Sequence, residues 1–208
     1  MTFRLFAALA SLAGAATLLA ALALIGEAPG VPAAGRHLRA MKARREAPRE
    51  VTPIGIADVE ALPHDRPLAQ YAALERRGVS IEGWVQRTIL AGDGDMHLEL
   101  ATTPRRSGGP DTAYVTAEIT PQWRTGRWSY EALAAVFRPN DGTATPWEGG
   151  PERVRVSGWL LYDFQYDHAP TNWTKERGAP RVSGWEVHPV TRLERWSDAR
   201  AAWVEVPR

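Results

Sequence analysis

The chain has 208 residues, 25 Lys plus Arg against 24 Asp plus Glu, and 44% hydrophobic residues, the composition of one modest globular domain with extensions. It has no cysteine, and its 18 glycines and 16 prolines follow no period, so disulfide-stapled, thiolate-metal, collagen-like and low-complexity classes are excluded.

Residues 1–25 carry one charge, Arg4, followed by 21 uncharged and mostly apolar residues from Leu5 to Ile25. As a helix this run is about 31 Å long, enough to cross the hydrocarbon core of a bilayer. It exceeds the roughly 7 to 15 apolar residues of a cleavable signal, and the best cleavage candidate, Val31-Pro32-Ala33, contains a proline. The segment is read as a single-pass membrane anchor, with a signal peptide as the alternative. By the positive-inside rule the basic cluster that follows the helix favours a cytoplasmic soluble part, whereas the likeness to an export signal favours the extracytoplasmic side, which is the expectation adopted. Residues 26–53 hold six basic residues between Arg36 and Arg49 against one acid, Glu46, and are expected to be a flexible basic linker lying against anionic headgroups. From Val51 onwards 18 basic residues face 21 acidic ones, so the soluble part is slightly acidic and nucleic acid is not its expected partner.

The domain is expected over residues 54–208. Asp65, Pro67, apolar residues at 68, 71, 72 and 74, and a terminal Gly78 predict a short amphipathic helix. The period then changes to two in five segments, residues 79–90, 96–101, 114–119, 154–163 and 182–194. Between the third and fourth, a serine cap and helical composition predict a helix over residues 129–137, closed by Pro139-Asn140-Asp141-Gly142. This order predicts a mainly β fold: an OB-like five-stranded barrel with short helices, preceded by the N-terminal hydrophobic helix. Trp84, Trp159 and Trp185 lie in strands and are expected to pack.

Alternation puts Met96, Leu98 and Leu100 on one face of the second strand and Asp95, His97 and Glu99 on the other. In the third strand Thr116 and Glu118 oppose Val115, Ala117 and Ile119, so a hairpin between the two would bring His97, Glu99 and Glu118 together. The last strand adds Glu186 and His188, and the fourth ends in Asp163 with His168 nearby. Imidazole and carboxylate are ligand types of zinc, manganese and iron sites, which makes His97, His168 and His188 candidate ligands of a divalent transition metal. The simpler expectation is that His97 and His188 are satisfied by hydrogen bonds in the barrel wall, with the carboxylates facing water. Asp93-Gly94-Asp95 matches a turn of thermonuclease-like barrels, but no Asp-x-Pro-Glu follows, and D-G-D is also an ordinary hairpin turn. P-loop, G-x-S-x-G, H-E-x-x-H and G-x-G-x-x-G patterns are absent from the sequence.

Read together, Gly94-Asp95-Met96-His97-Leu98, Thr116-Ala117-Glu118-Ile119, Val156-Ser157-Gly158 with Asp163, and Glu186-Val187-His188-Pro189-Val190 resemble a group of uncharacterised bacterial proteins with G-D-x-H-L and E-x-H-P-V motifs. The resemblance covers residues 79–194, with a tryptophan-rich insertion over 122–151. It implies the barrel and the site positions but supplies no substrate. The expected function is therefore that of a membrane-anchored envelope protein whose barrel binds a protein, peptide or glycan. The alternative is a metal-dependent hydrolase using His97, Glu99, Glu118, Asp163, His168 and His188. A purely structural envelope protein is the third class.

Overall fold

The computed structural model of the chain describes residues 33–64, 66–104, 112–125, 128–129, 131–133, 152–167 and 181–206. The chain divides into two compact units, Met1–His37 and Leu38–Arg208. The hydrophobic helix expected over 1–25 and most of the helix expected over 129–137 lie outside the described residues, although residues 131–133 are helical. Among the described residues no helix is long and apolar enough to cross a membrane.

Helix α1 (Ala33–Lys42) is followed by β1 (Val51–Ile54), α2 (Ile56–Glu60), β2 (Gly78–Leu90), β3 (Met96–Ala101), β4 (Tyr114–Ile119), β5 (Glu152–Tyr162), β6 (Trp185–Ser197) and β7 (Ala202–Glu205). β2 pairs antiparallel with β3 and β5, β3 with β4, and β5 with β6, while β4 and β6 run parallel at Ala117 and Val187. The path β2-β3-β4-β6-β5 therefore returns to β2 and closes a five-stranded OB-like barrel. Alternation sends Met96, Leu98, Leu100, Val115, Ala117, Ile119 and Val187 inward, where Ile81, Val156, Leu160 and Leu193 meet them. Burying each such aliphatic side chain contributes about 1.5–3 kcal/mol. At one end of this core Tyr71, Tyr162 and Trp185 form an aromatic trio with centroids 4.3 to 5.3 Å apart, and the indole of Trp185 donates to Pro63 O at 2.8 Å.

A β-bulge between Val85 and Arg87 decides which side chains share a face. Val85 points into the core, and strict alternation would send Arg87 there as well. The extra residue, Gln86, shifts the register so that Arg87 stands opposite Glu99 on the polar side, while its own amide exchanges hydrogen bonds with Thr112.

The structure corrects several sequence expectations. The two outermost strands were not foreseen: β1 pairs parallel with the part of β2 that β3 does not reach, and β7 pairs with the end of β6. Both cover strand edges that would otherwise expose unpaired backbone groups. Within the segment expected over 26–53 as a flexible linker, residues 33–42 form α1 and residues 51–53 belong to β1, which pairs with β2. The helix expected over 65–78 is a 3-10 turn at Leu68–Gln70 followed by further turns. Its apolar residues serve the core individually, as Tyr71 does, instead of forming one helical face. Trp185 is buried as expected, whereas Trp84 and Trp159 are only half-buried.

Gly158 lies against the backbone of β6, and a Cβ there would sit 2.2 Å from Pro189 O and 2.8 Å from Val187 Cγ1. Gly158→Ala is expected to destabilise the protein by about 2 kcal/mol or more, because backbone cannot yield as a flexible side chain does. Gly92→Ala, where no atom lies within 4 Å, is expected to change stability by less than about 0.5 kcal/mol. Urea unfolding midpoints at constant m-value measure both.

Candidate functional site

The polar side of β3 and β4 is not a solvated face: every residue of β4 is buried. The register sets His97 beside Glu118 and Glu99 beside Thr116, and the parallel contact of Ala117 with Val187 brings Glu186 and His188 alongside Glu118. Asp95 lies in the turn entering β3, Asp163 directly follows β5, and Arg181 forms an isolated bridge to Tyr114 before β6 begins. Lys42 reaches in from the last turn of α1.

Glu118 connects these groups. Its Oε2 is 2.9 Å from His188 Nε2 and 3.9 Å from Lys42 Nζ; its Oε1 is 3.3 Å from His97 Nε2 and 3.6 Å from Arg181 Nη2. His188 Nε2 is also 3.2 Å from Asp95 Oδ2. Lys42 Nζ lies 3.0 Å from Asp163 Oδ2, and Arg181 Nη1 lies 3.2 Å from Glu186 Oε2. The side chains of Glu118, Asp163, Glu186 and His188 are at most 1% exposed, while His97 at 18% and Lys42 at 27% are the cluster's links to water.

Removing each ion from water costs several kcal/mol, so such a cluster persists only if opposite charges nearly balance. Lys42, Arg181 and His188 face Asp95, Glu118, Asp163 and Glu186, one acid more than the cations match. Burial alone would raise the Glu118 carboxyl, but His97, His188 and Lys42 outweigh it and hold the group well below the usual range. Burial likewise disfavours a charged His188, yet Glu118 and Asp95 override it and push the imidazole up to about 10. Burial and then the adjacent Glu118 charge push Glu186 up to about 8, with Arg181 opposing only in part. Glu186 is thus the acid that keeps its proton at neutral pH, which removes the surplus negative charge. For His97 burial prevails and lowers the pKa, whereas Lys42, although burial pulls it down, is raised by Glu186, Glu118 and Asp163.

Of the residues anticipated from sequence, Asp95, His97, Glu118, Asp163, Glu186 and His188 come together here. Glu99 does not: it is bound by Arg87, and it and burial raise the neighbouring Tyr114 phenol. His168 lies outside the described residues. Carboxylates facing water, the other expectation, are not found at Glu118, Asp163 or Glu186. Lys42 and Arg181 escaped the sequence reading because both sit outside the predicted strands. Lys42 had one signal, as one of only two lysines in a chain that otherwise uses arginine. Asp95, Glu118 and His188 offer ligand atoms within 4.8 Å of one another. The Asp93-Gly94-Asp95 segment is a hairpin turn, with Gly94 at φ 88° and the Asp95 N–H donating to Asp93 Oδ1. A separate groove of about 640 Å³ between β1, β2, β5 and β6, with Glu82, Arg155 and Glu194 in its wall, contains none of the cluster residues.

No protein-family model matches the chain, and no curated protein matches it. Among solved structures, it is similar to Entamoeba histolytica asparaginyl-tRNA synthetase in complex with asparaginyl-adenylate, at 15% identity and a TM-score of 0.37 over 70% of this chain and 23% of that one. It is also similar to the OBody AM3L09 bound to hen egg-white lysozyme, at 16% identity and a TM-score of 0.31 over 65% of this chain and 96% of that one. The chain spans about a quarter of the synthetase's length.

Two outcomes follow from the charge balance. Arg181→Met is expected to destabilise by about 3 kcal/mol, since it leaves the buried Glu118 charge short of a cation, and the cost should shrink when Glu118→Gln is added; a double-mutant cycle measures the coupling. His188, raised from 6.5 to about 10, contributes stability that is fully present below pH 6.5 and lost as pH rises through about 10. Glu186, raised from 4.5 to about 8, adds a loss over its own window in the same direction. Thermal midpoints should therefore fall between pH 6.5 and 10, with a shallower slope in His188→Gln; a wild-type curve flat over that range contradicts the assignment.

Proposed function

We propose that the chain is an envelope protein, anchored by residues 1–25, whose barrel is a binding or interaction module with its ligand site on the outer side of β3, β4 and β6. One observation carries this reading. OB barrels take their ligands on the face of the second and third barrel strands and in the loops joining strands one to two and four to five. In this chain those elements are β3, β4, the turn at Asp95 and the ends of the β5–β6 connection at Asp163 and Arg181, which supply much of the charged cluster. Most barrels keep the outer side of their sheet simply solvated, so a preorganised set of charges there needs a reason beyond folding. Fold-level analogy supplies the location and the residues supply the chemistry.

The cluster also points to the class of ligand. Its cations are already engaged: Lys42 with Asp163, Arg181 with Glu186, and His188 with Asp95 and Glu118. A ligand that brings hydrogen-bonding groups, such as a peptide or glycan, fits this arrangement better than a phosphate backbone that needs uncommitted cations. The second reading, metal-dependent hydrolysis, is favoured by the convergence of Asp95, Glu118 and His188, because an ion held there would have open positions at which to activate water.

The test is a binding panel of envelope peptides, oligosaccharides and single-stranded oligonucleotides, followed by imidazole and amide NMR. A ligand of this face should shift the signals of His97 and Lys42 and leave Arg155 and Glu194 unmoved, and His97→Ala should weaken it about tenfold. Shifts confined to the Arg155 groove would refute the placement. Binding that weakens steeply with salt would identify nucleic acid as the ligand instead.

A further inference from the structure

We infer that Asp95, Glu118 and His188 form a binding site for one divalent transition-metal ion, held by Asp95 Oδ2, Glu118 Oε2 and His188 Nε2. Two of the three spacings are those of neighbouring ligands around a metal. With bonds of about 2.0–2.2 Å and angles between octahedral and tetrahedral, neighbouring donors stand about 2.9–3.5 Å apart. Here the shared nitrogen is 2.9 Å from the glutamate oxygen and 3.2 Å from the aspartate oxygen, and the three donors lie within 4.8 Å of one another.

The hydrogen-bond inventory points the same way. Nε2 can carry one N–H, directed here at Asp95, while two carboxylate oxygens approach it. Glu118 Oε2, fully buried, lies 2.9 Å from the same nitrogen but out of line with that N–H. One N–H shared between two buried charged acceptors serves neither fully, and a divalent ion is the species that could serve both oxygens and the nitrogen at once. The neighbouring cations do not occupy the position: Lys42 Nζ is 3.9 Å from Oε2 and closer to Asp163, and Arg181 approaches Glu118 through Oε1. His97, 3.3 Å from that same Oε1, orients the carboxylate as the outer partners of metal ligands do. One nitrogen with two oxygens suits zinc, manganese or iron(II), and three protein ligands leave positions for water or a ligand. This site does not depend on the binding-module reading, since an ion could complete a recognition face or a catalytic one.

The experiment uses the full-length protein. Elemental analysis after purification without chelator is followed by stripping and titration with Zn²⁺, Mn²⁺ and Fe²⁺, read by calorimetry and thermal midpoint. One equivalent of a single ion is expected, with a raised midpoint and loss of at least about 100-fold in affinity in Asp95→Asn and His188→Gln. ¹⁵N spectra of the wild-type imidazoles give an answer even if those variants fail to fold: Zn²⁺ should move the Nε2 signal of His188 and leave that of His64 in place. The inference is overturned if the stripped protein neither binds nor is stabilised by any of the three ions, or if binding leaves the His188 signal unmoved.

Discussion

Everything distinctive in this barrel follows from burying the polar side of the β3, β4 and β6 wall as well as the apolar side. An ordinary small barrel puts one face of each strand in the core and solvates the other. Here Glu118 and its neighbours are taken out of water, and the penalty of several kcal/mol per ion must be offset by close opposite charges. That requirement explains why residues distant in sequence meet here: Lys42 from α1, Asp163 from the end of β5, and Arg181 ahead of β6. It also explains why one of the acids holds a proton. An unmatched buried charge is relieved by protonating the acid whose charged form is least favoured, and Glu186, fully buried beside the Glu118 charge with Arg181 and Lys42 opposing only in part, is that acid.

How much of this was legible in the sequence divides along a physical line. Strand positions were readable because inward residues such as Met96, Leu98, Leu100, Val115, Ala117 and Ile119 leave a period of two, and five barrel strands in that order leave few topologies. The polar members of the site were readable for the same reason, as the other half of the alternation. What alternation cannot report is whether the second face meets water, and burial there comes from segments with no periodicity. The 26–53 region, read as a tether because it is rich in Ala, Gly, Pro and Arg and lacks a clear apolar face, supplies Lys42 to the cluster, and its Arg44 stacks on Trp159 and donates to Glu75 O. The bulge at Gln86 was equally silent, because one inserted residue leaves composition unchanged while it reverses the side on which Arg87 falls. The partner of Glu99 was hidden as a direct result: with Arg87 on the same face, the two pair with each other.

The two strands that lie off the barrel path serve a different end. β2 and β6 are each longer than the strands they pair with inside the barrel, so each has a stretch of edge left over. β1 and β7 occupy those stretches, and the short β7 brings Trp203 against Trp196, with Arg153 and Arg155 stacked on the rings. Aromatic residues on that side are therefore committed to closing an edge. The aromatic richness of the sequence does not by itself mark a ligand platform, because at these positions the rings already carry cations of the same chain.

The charged wall and the apolar core place opposite demands on sequence, and that contrast is the firmest reason to look for function on the wall. Well-packed hydrophobic groups in place of a buried ion network are often neutral or stabilising, so a chain selected for stability alone has no pressure to retain one. Retention becomes reasonable when the network must be able to change its state, by exchanging a proton, admitting an ion or accepting a ligand's polar groups. The geometry at His188 has that property: one ring nitrogen stands between two carboxylates that cannot both be served by its single proton. A static scaffold would be better off without such a conflict. A site that waits for another species to resolve it is the arrangement expected of a binding centre.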